Sequence, residues 1–129
     1  MVVVDTSVWV AVLRSAGARE APALGALLES DDVIVPILVR LELLAGVSSK
    51  ERPRLRRMLS ALPIAYPDEE TWPLIDGWIE RAVGQGQRFG LGDLLIAAVA
   101  SQQGALVWSL DGDFERMERL KLVSLYNAK

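Results

Sequence analysis

Four acidic side chains of this sequence stand directly beside apolar segments. Asp5 follows the apolar run MVVV, and Asp111 follows ALVWSL. Asp93 precedes LLIAAVA, and Glu42 lies within the apolar segment ILVRLELLA. In open α/β sheets ligands bind beyond the carboxyl ends of the strands, so acids that follow strands stand where chemistry is usually placed. We therefore predict one acidic site formed by Asp5, Glu42, Asp93 and Asp111.

Each of these acids also has a purely structural interpretation. Asp5 could cap the helix that follows it, and Asp93 would suit the dipole at the first turn of a helix. Glu42 could be solvated or ion-paired, and Asp111 with the glycine after it could form a turn. The structural interpretations together must still explain why every acid borders apolar sequence. A single acidic site explains this directly.

The composition restricts the chemistry of such a site. The sequence contains no histidine and no cysteine, which excludes Ser-His-Asp triads, histidine-relay ribonuclease chemistry, thiolate nucleophiles and metal sites with His or Cys ligands. Carboxylates remain as the catalytic groups. Hard divalent cations such as Mg²⁺ prefer oxygen ligands and bind substrate phosphates as well. The grouping therefore indicates phosphoryl chemistry.

The charge pattern is compatible with a nucleic-acid substrate. The net charge is -3, but if the four acids surround cations, the rest of the chain is slightly positive. Residues 50–57 (KERPRLRR) carry five basic side chains against one acid, which fits either a solvated helix face or a surface that contacts phosphates. The weak candidates for RNA contacts are Arg52, Arg54, Arg56, Arg57 and Arg88.

Strand and helix patterns alternate along the chain. The length of 129 residues, of which 51% are apolar, predicts a single domain over residues 1–129. The alternation predicts a mainly parallel central sheet with helices on both faces, an α/β architecture. The predicted strands are 1–4, 32–36, 62–66, 105–110 and 122–126. The predicted helices begin near residues 6, 20, 36, 93 and 114, and a further one begins at 68 or, because of Pro73, at 71.

Several local features of these elements are also predicted. Thr6 and Ser7 can cap the first helix, and Asp113 can cap the last helix or support the acidic site. The glycine-rich segment 84–92 is interpreted as a mobile loop. The helix at 36–45 is apolar on more than one side, with Val39 and Leu43 opposite Leu41. Such a helix should be buried, and the limited core of a small domain suggests a homodimer.

No targeting signal or membrane segment is evident. The chain has no uncharged apolar span of transmembrane length, and its apolar start lacks the basic flank and length of a signal peptide. We therefore expect a cytoplasmic protein that does not contact a membrane. The absence of cysteine is compatible with that compartment.

The ordered set of motifs resembles the PIN-domain ribonucleases, and within them the VapC-like toxins of bacterial toxin-antitoxin pairs. The motifs are VVVDTSVWV, RLELLAG, LGDLLIAAVA and WSLDGDFERM, and they cover nearly the whole chain. The resemblance implies a three-layer α/β/α PIN-like fold. It also implies RNA as the substrate and a cognate VapB-like antitoxin as the partner.

The resemblance assigns roles to individual residues. It implies a catalytic set of Asp5, Glu42, Asp93 and Asp111, of which all but Glu42 would bind metal. It further implies an endoribonuclease that uses Mg²⁺ or Mn²⁺ and leaves 5′-phosphate and 3′-hydroxyl ends. One departure is that Ser109 stands where the family commonly has Thr, which retains a hydroxyl. The auxiliary residues of this site would be Thr6, Ser109 and Asp113.

Two other classes of protein remain as alternatives. Receiver and haloacid-dehalogenase-like phosphotransfer domains also place an Asp after a first strand. Haloacid-dehalogenase-like domains need another Asp two residues after the first, where this chain has Ser7. A catalytically silent PIN domain that only binds RNA or a partner is the other alternative, and a metal-binding titration distinguishes it.

Overall fold

A parallel four-stranded sheet lies at the centre of the computed structural model, which describes residues 1–128. The strands are β1 (Val2–Val4), β2 (Val33–Pro36), β3 (Ile64–Ala65) and β4 (Leu106–Trp108). Their order in the sheet is β3-β2-β1-β4, and every pair is parallel. Because Val3 is aligned with both Ile34 and Val107, β1 is central and the carboxyl ends of β1 and β4 lie side by side.

Helices connect the strands and flank the sheet. They are α1 (Thr6–Arg14), α2 (Ala21–Glu29), α3 (Ile37–Gly46), α4 (Arg52–Ser60), α5 (Thr71–Gly84), α6 (Leu91–Gln102) and α7 (Asp113–Arg119). The predicted α/β/α architecture with a parallel sheet is confirmed. No helix in residues 1–128 is long and apolar enough to cross a membrane.

The core is formed where the central strands meet α6. Val3 and Val4 have no exposed surface, which confirms the prediction of a first strand that is buried on both faces. α6 contacts β2, β4, α3 and α5. Its alanines, Ala97, Ala98 and Ala100, are fully buried, and their small side chains let the helix axis approach the sheet. One sheet and one core fit the single domain over residues 1–129, which stays a prediction.

The last predicted strand, residues 122–126, is largely wrong. Only Leu125 pairs with the sheet, as a single parallel bridge to Val107. Lys121 adopts a positive φ of 61°, so the chain turns sharply before this segment. Leu122 and Val123 are buried in the core, which explains their apolar character without a continuous strand.

The prediction that α3 is buried on both sides is correct only in part. Val39 and Leu43 are buried in the core, whereas Leu41 is 54% exposed. α3 contacts α1, α4, α6 and β2, and Leu44, which lies one turn from Leu41, is buried as well. Val39 and Leu43 are therefore not available for a partner, and Leu41 is the apolar side chain that the fold leaves exposed.

Candidate metal centre

The topology brings five acidic residues to one edge of the sheet. Asp5 follows β1, and Asp111 lies three residues beyond the end of the neighbouring β4. Asp93 lies in the first turn of α6, and Asp113 is the first residue of α7. Glu42 is on α3, which packs against α1 and α6. The predicted convergence of Asp5, Glu42, Asp93 and Asp111 is therefore what the fold produces.

Three of these carboxylates form the closest group. Asp93, Asp111 and Asp113 each offer a carboxylate oxygen, and these three oxygens lie within 4.8 Å of one another. Asp93 and Asp113 are half-buried and Asp111 is exposed. Asp113 thus joins the group directly; the sequence places it among the auxiliary residues and leaves its share in metal binding open. Asp5 lies outside this group of three, so its predicted role as a metal ligand stays a prediction.

Asp93 experiences the combined charge of the cluster. Its pKa is raised from 3.8 to about 6, first because the carboxyl is partly buried and then because Asp111, Asp5, Asp113 and Glu42 repel its negative charge. The five acids therefore lie close enough to interact electrostatically at one site. A bound cation would remove this repulsion, because it favours the ionised form of each carboxylate.

The donor set fits a hard divalent cation. Every donor in the group of three is a carboxylate oxygen, and the chain has no His or Cys that could favour a softer metal. Mg²⁺ and Mn²⁺ prefer such oxygen ligands. The group of Asp93, Asp111 and Asp113 is therefore a candidate site for a divalent cation.

Two hydroxyl groups hold the buried Asp5. Its side chain is 5% exposed, and its Oδ2 accepts hydrogen bonds from Ser7 Oγ at 2.8 Å and Ser109 Oγ at 2.7 Å. It makes no side-chain cap to α1, so the capping interpretation of Asp5 is wrong. Ser7 does not cap the helix either, because its hydroxyl donates to Asp5 and accepts from the Leu110 amide at 3.0 Å.

Ser109 links the ends of the neighbouring strands β1 and β4. Besides donating to Asp5, its Oγ accepts a hydrogen bond from the Asp111 amide at 2.9 Å. Asp111 Oδ1 in turn accepts from the Asp113 amide at 2.9 Å. The hydroxyl at position 109 therefore orients one acid directly and fixes the backbone that carries two others. The serine keeps the hydroxyl that the resemblance leads us to expect.

Thr6 connects Glu42 to the same region. Its Oγ1 donates a hydrogen bond of 2.6 Å to Glu42 Oε1, which joins the start of α1 to α3. Thr6 does not cap α1 through its side chain, so the predicted cap is wrong. Glu42 is exposed. Within residues 1–128, it forms no ion pair with a basic side chain. It adds negative charge at the rim of the site.

Arg116 is a residue of this site that the sequence does not predict. Its Nη2 contacts Asp113 Oδ1 at 2.7 Å, and its guanidinium carbon lies 4.5 Å from the centre of the Phe89 ring. It also donates hydrogen bonds to Gln87 and to the Arg88 carbonyl. The segment before α6 is thus held by α7, which argues against the interpretation of 84–92 as a freely mobile loop. An arginine three residues after an Asp on a helix is the only signal in the sequence.

Replacing Arg116 with Ala should loosen the segment that leads to Asp93. We expect a loss of about 1 kcal/mol in the free energy of unfolding, because the ion pair is partly exposed and the cation-π contact adds a similar small amount. Amide hydrogen exchange in residues 85–90 should accelerate. Arg119→Ala, at an exposed position of α7, is the control. Equal exchange in the two variants would contradict the anchoring role.

The predicted RNA-contacting arginines have different environments. Arg52 donates hydrogen bonds to the carbonyl oxygens of Leu44 and Val47 at 2.8 and 2.9 Å, so it closes the end of α3 instead of facing solvent. The remaining candidates are exposed, three on α4 and one before α6: Arg54, Arg56, Arg57 and Arg88. Their contact with RNA stays a prediction.

Fold and site together define an α/β protein with an acidic cluster, and so a candidate metal site, at the carboxyl edge of a parallel sheet. The family model described as "PIN domain" matches residues 2–120. This chain belongs to the PIN-domain family.

Individual relatives agree with this membership. The chain is 29% identical to Ribonuclease VapC11 of Mycobacterium tuberculosis over 126 residues, which is 93% of each chain. It is similar in fold to VapBC2 of Rickettsia felis bound to a DNA fragment from their promoter, with a TM-score of 0.78, 22% identity and 98% of each chain covered. It is also similar to VapC20 of M. tuberculosis, a toxin that cleaves the sarcin-ricin loop, with a TM-score of 0.64, 20% identity and 90% and 94% coverage.

Proposed function

We propose that this chain is a divalent-metal-dependent endoribonuclease, the toxin of a toxin-antitoxin pair. The observation that carries the proposal is the group of three carboxylate oxygens within 4.8 Å, formed by Asp93, Asp111 and Asp113. Membership of the PIN-domain family supports it, and so does the similarity to proteins named as a ribonuclease and as an RNA-cleaving toxin.

The cation would be held by Asp93, Asp111 and Asp113, with Asp5 as a further candidate ligand. We propose Mg²⁺ or Mn²⁺, because every donor is a carboxylate oxygen. When bound, such an ion would lower the pKa of a water molecule and neutralise charge at the reacting phosphate. Five acids would otherwise repel the RNA backbone, so the substrate phosphate approaches this pocket only when its charge is compensated.

The other residues of the site position these acids. Ser7 and Ser109 hold Asp5 through two hydrogen bonds, and Thr6 holds Glu42. Asp5 and Glu42 are therefore positioned by their neighbours before any ligand binds, and groups that are already positioned lose less entropy in the transition state. A route through a cyclic phosphate would lack its usual histidine acid and base. We therefore propose 5′-phosphate and 3′-hydroxyl product ends.

The proposal is tested by assaying cleavage of single-stranded and hairpin RNA with Mg²⁺, with Mn²⁺ and with excess EDTA. Cleavage only in the presence of metal, with the ends named above, is the expected result. Undiminished cleavage in EDTA contradicts the mechanism. Metal binding by calorimetry without cleavage of any RNA would instead support a PIN domain that only binds.

Such a toxin is expected to act in the cytoplasm, where its RNA substrate is found, and to be restrained by a VapB-like antitoxin. A cation from that partner would relieve the repulsion among the acids as a metal does. The similarity in fold to the VapBC2 complex supports the existence of the partner.

Neutralising the exposed arginines of α4 should weaken RNA binding. Arg54, Arg56 and Arg57 would contact phosphates, so we expect affinity to fall for all sequences alike. The logarithmic salt slope should decrease by about 0.7 for each phosphate that is no longer neutralised. The triple change to Gln leaves Arg52 in place because it closes α3, and Arg81→Gln on α5 is the control. If neither affinity nor slope changes, the arginines form a solvated face.

We further propose that the chain forms a homodimer. Leu41 and Leu91 are 54% and 70% exposed, and they lie on α3 and α6, which contact each other. Burying large apolar side chains of this kind is favourable. Sedimentation at micromolar concentration should show a dimer that Leu91→Glu weakens. A monomer at every concentration tested would contradict this expectation.

A further inference from the structure

A cavity of about 340 Å³ adjoins the acidic cluster on the side of β4. Its wall is built from the end of β4, the start of α7, the connection between α1 and α2, and residues 125–128. The lining residues that bear on its chemistry are Arg19, Glu20, Leu110, Asp111, Glu115 and Tyr126.

Asp111 is shared by this cavity and the group of three carboxylates. A phosphate placed at the acidic cluster therefore lies next to the cavity. In a nucleic acid, the groups that neighbour a phosphate are the sugars and bases on its two sides. The cavity is consequently in reach of a base adjacent to the reacting bond.

The charges of the lining favour a base over a second phosphate. Within residues 1–128, three carboxylates line the cavity against the single guanidinium of Arg19, so a further anion would be repelled. Carboxylate oxygens are hydrogen-bond acceptors, and exocyclic amino groups of nucleobases are donors that match them. A base with an exocyclic amino group is complementary to this lining.

Apolar and aromatic surface completes the match. Tyr126 is half-buried and packs against Trp108, with ring centroids 5.4 Å apart. Leu110 lines the cavity and is 52% exposed. Unstacked RNA bases bind to proteins through aromatic surface combined with hydrogen bonds to their edges. The cavity combines both kinds of contact.

We propose that this cavity binds the nucleobase next to the cleaved phosphodiester, and that it favours a base with an exocyclic amino group over uracil. The inference rests on the proposed ribonuclease function and extends it to the choice of sequence. Tyr126 supplies the aromatic surface, and the carboxylates of Glu20 and Glu115 accept from the amino group.

The test uses the full chain with Mg²⁺ and a short RNA that it cleaves. An abasic residue is placed at each position flanking the cleaved bond, one at a time. We expect one position at which kcat/KM falls about tenfold, in line with the loss of a stacked base. Cytosine at that position should be cleaved faster than uracil.

Variants connect that position with the cavity. Tyr126→Ala should lose a similar factor on intact RNA and should lose nothing further on the abasic RNA. Leu110→Ala, at an exposed position, should show the same pattern in smaller degree and does not depend on the packing of Tyr126. Tyr126→Phe keeps the aromatic ring, so its kcat/KM should still fall about tenfold on the abasic RNA. Tyr66→Ala, an exposed tyrosine that does not line this cavity, should behave like the unaltered chain.

The assays distinguish a failure of the proposed ribonuclease function from a failure of the proposed base-binding cavity. If the unaltered chain cleaves no RNA, the proposed function is wrong and this inference is lost with it. If it cleaves RNA but tolerates an abasic residue at every flanking position, only the cavity proposal is overturned. An equal abasic effect in Tyr126→Ala, Leu110→Ala and the unaltered chain also overturns it, and cleavage at uracil as fast as at cytosine overturns the preference.

Discussion

Replacing Asp93 with Asn is expected to reduce metal-dependent RNA cleavage by at least about a hundredfold, because it removes charge that stabilises the cation and the reacting phosphate. The negative charges of the other four acids all raise the pKa of Asp93. The variant keeps the size of the side chain, so its first turn in α6 can be retained. Cleavage is measured under single-turnover conditions at saturating Mg²⁺.

The same change should not weaken the metal-free fold. The pKa of Asp93 is raised from 3.8 to about 6 by burial and by repulsion. Between these values the folded chain holds more protons at this carboxyl than the unfolded chain. Its free energy of unfolding therefore falls as the pH rises through this window, and the destabilisation is complete above pH 6. Asp93→Asn should lack that fall.

Thermal unfolding with EDTA and with Mg²⁺ separates these effects. At pH 7 the Asn variant should be at least as stable as the unaltered chain in EDTA, but Mg²⁺ should stabilise it much less. Asp76→Asn, at an exposed position on α5, is the matched control and should retain both cleavage and the response to Mg²⁺. Normal cleavage by the Asp93 variant would remove Asp93 from the proposed catalytic set.

The position of the acids could be predicted because it depends on the order of elements. Parallel strands present their carboxyl ends at one edge, so Asp5 and Asp111 had to meet once β1 and β4 were neighbours. Asp93 and Glu42 follow from helices that connect such strands. Topology of this kind is encoded in the hydrophobic pattern, which is visible along the whole chain.

The details that depend on local backbone geometry could not be predicted. Asp113 enters the group of three because the turn from Asp111 brings its amide to the Asp111 carboxylate. Arg116 reaches the Phe89 ring across a distance of 27 positions in the sequence, and no periodicity encodes that contact. Ser7 could cap a helix or orient an acid by the same hydroxyl chemistry, and only the tertiary structure decides between these roles.

The orientation of α3 shows a different limit. Two sets of apolar residues, one with Val39 and Leu43 and one with Leu41, have helical spacing, so the pattern leaves two faces equally suited to the core. The contacts of α3 bury Val39 and Leu43 fully, and from the second set they bury Leu44 but not Leu41. The exposed Leu41 therefore reflects a packing choice that a short helix does not encode alone.

Binding of the proposed VapB-like antitoxin is expected to stop RNA cleavage, and changes in one apolar groove should restore it. The groove has a volume of about 560 Å³ and lies between α1 and α4 beside the end of α3. Its apolar lining includes Leu13 and Met58, which are 45% and 40% exposed. An amphipathic segment of the antitoxin could bury these side chains, and buried apolar anchors of this kind provide most of the affinity in such complexes.

The groove also leads toward the acids. Leu13 and Thr6 are separated by about 10 Å along the axis of α1, since an α-helix rises about 1.5 Å per residue. An extended antitoxin segment covers that distance with about three residues. An Arg or Lys at its end would then reach the cluster near Asp5 and Glu42, where it would compensate the acids and block the approach of metal or RNA.

The double change Leu13→Glu with Met58→Glu should weaken antitoxin binding by at least about a hundredfold, because it places two charges where apolar anchors would be buried. Single-turnover cleavage by the free chain at saturating RNA should not change, since neither residue belongs to the acidic site. Ala26→Glu, at an exposed position of α2, is the control for added negative charge. The antitoxin should inhibit that control fully and the double variant only at high concentration. If the antitoxin inhibits both equally, or if the inhibited complex binds Mg²⁺ as well as the free chain and leaves the acids open to RNA, the groove is not the path by which inhibition is achieved.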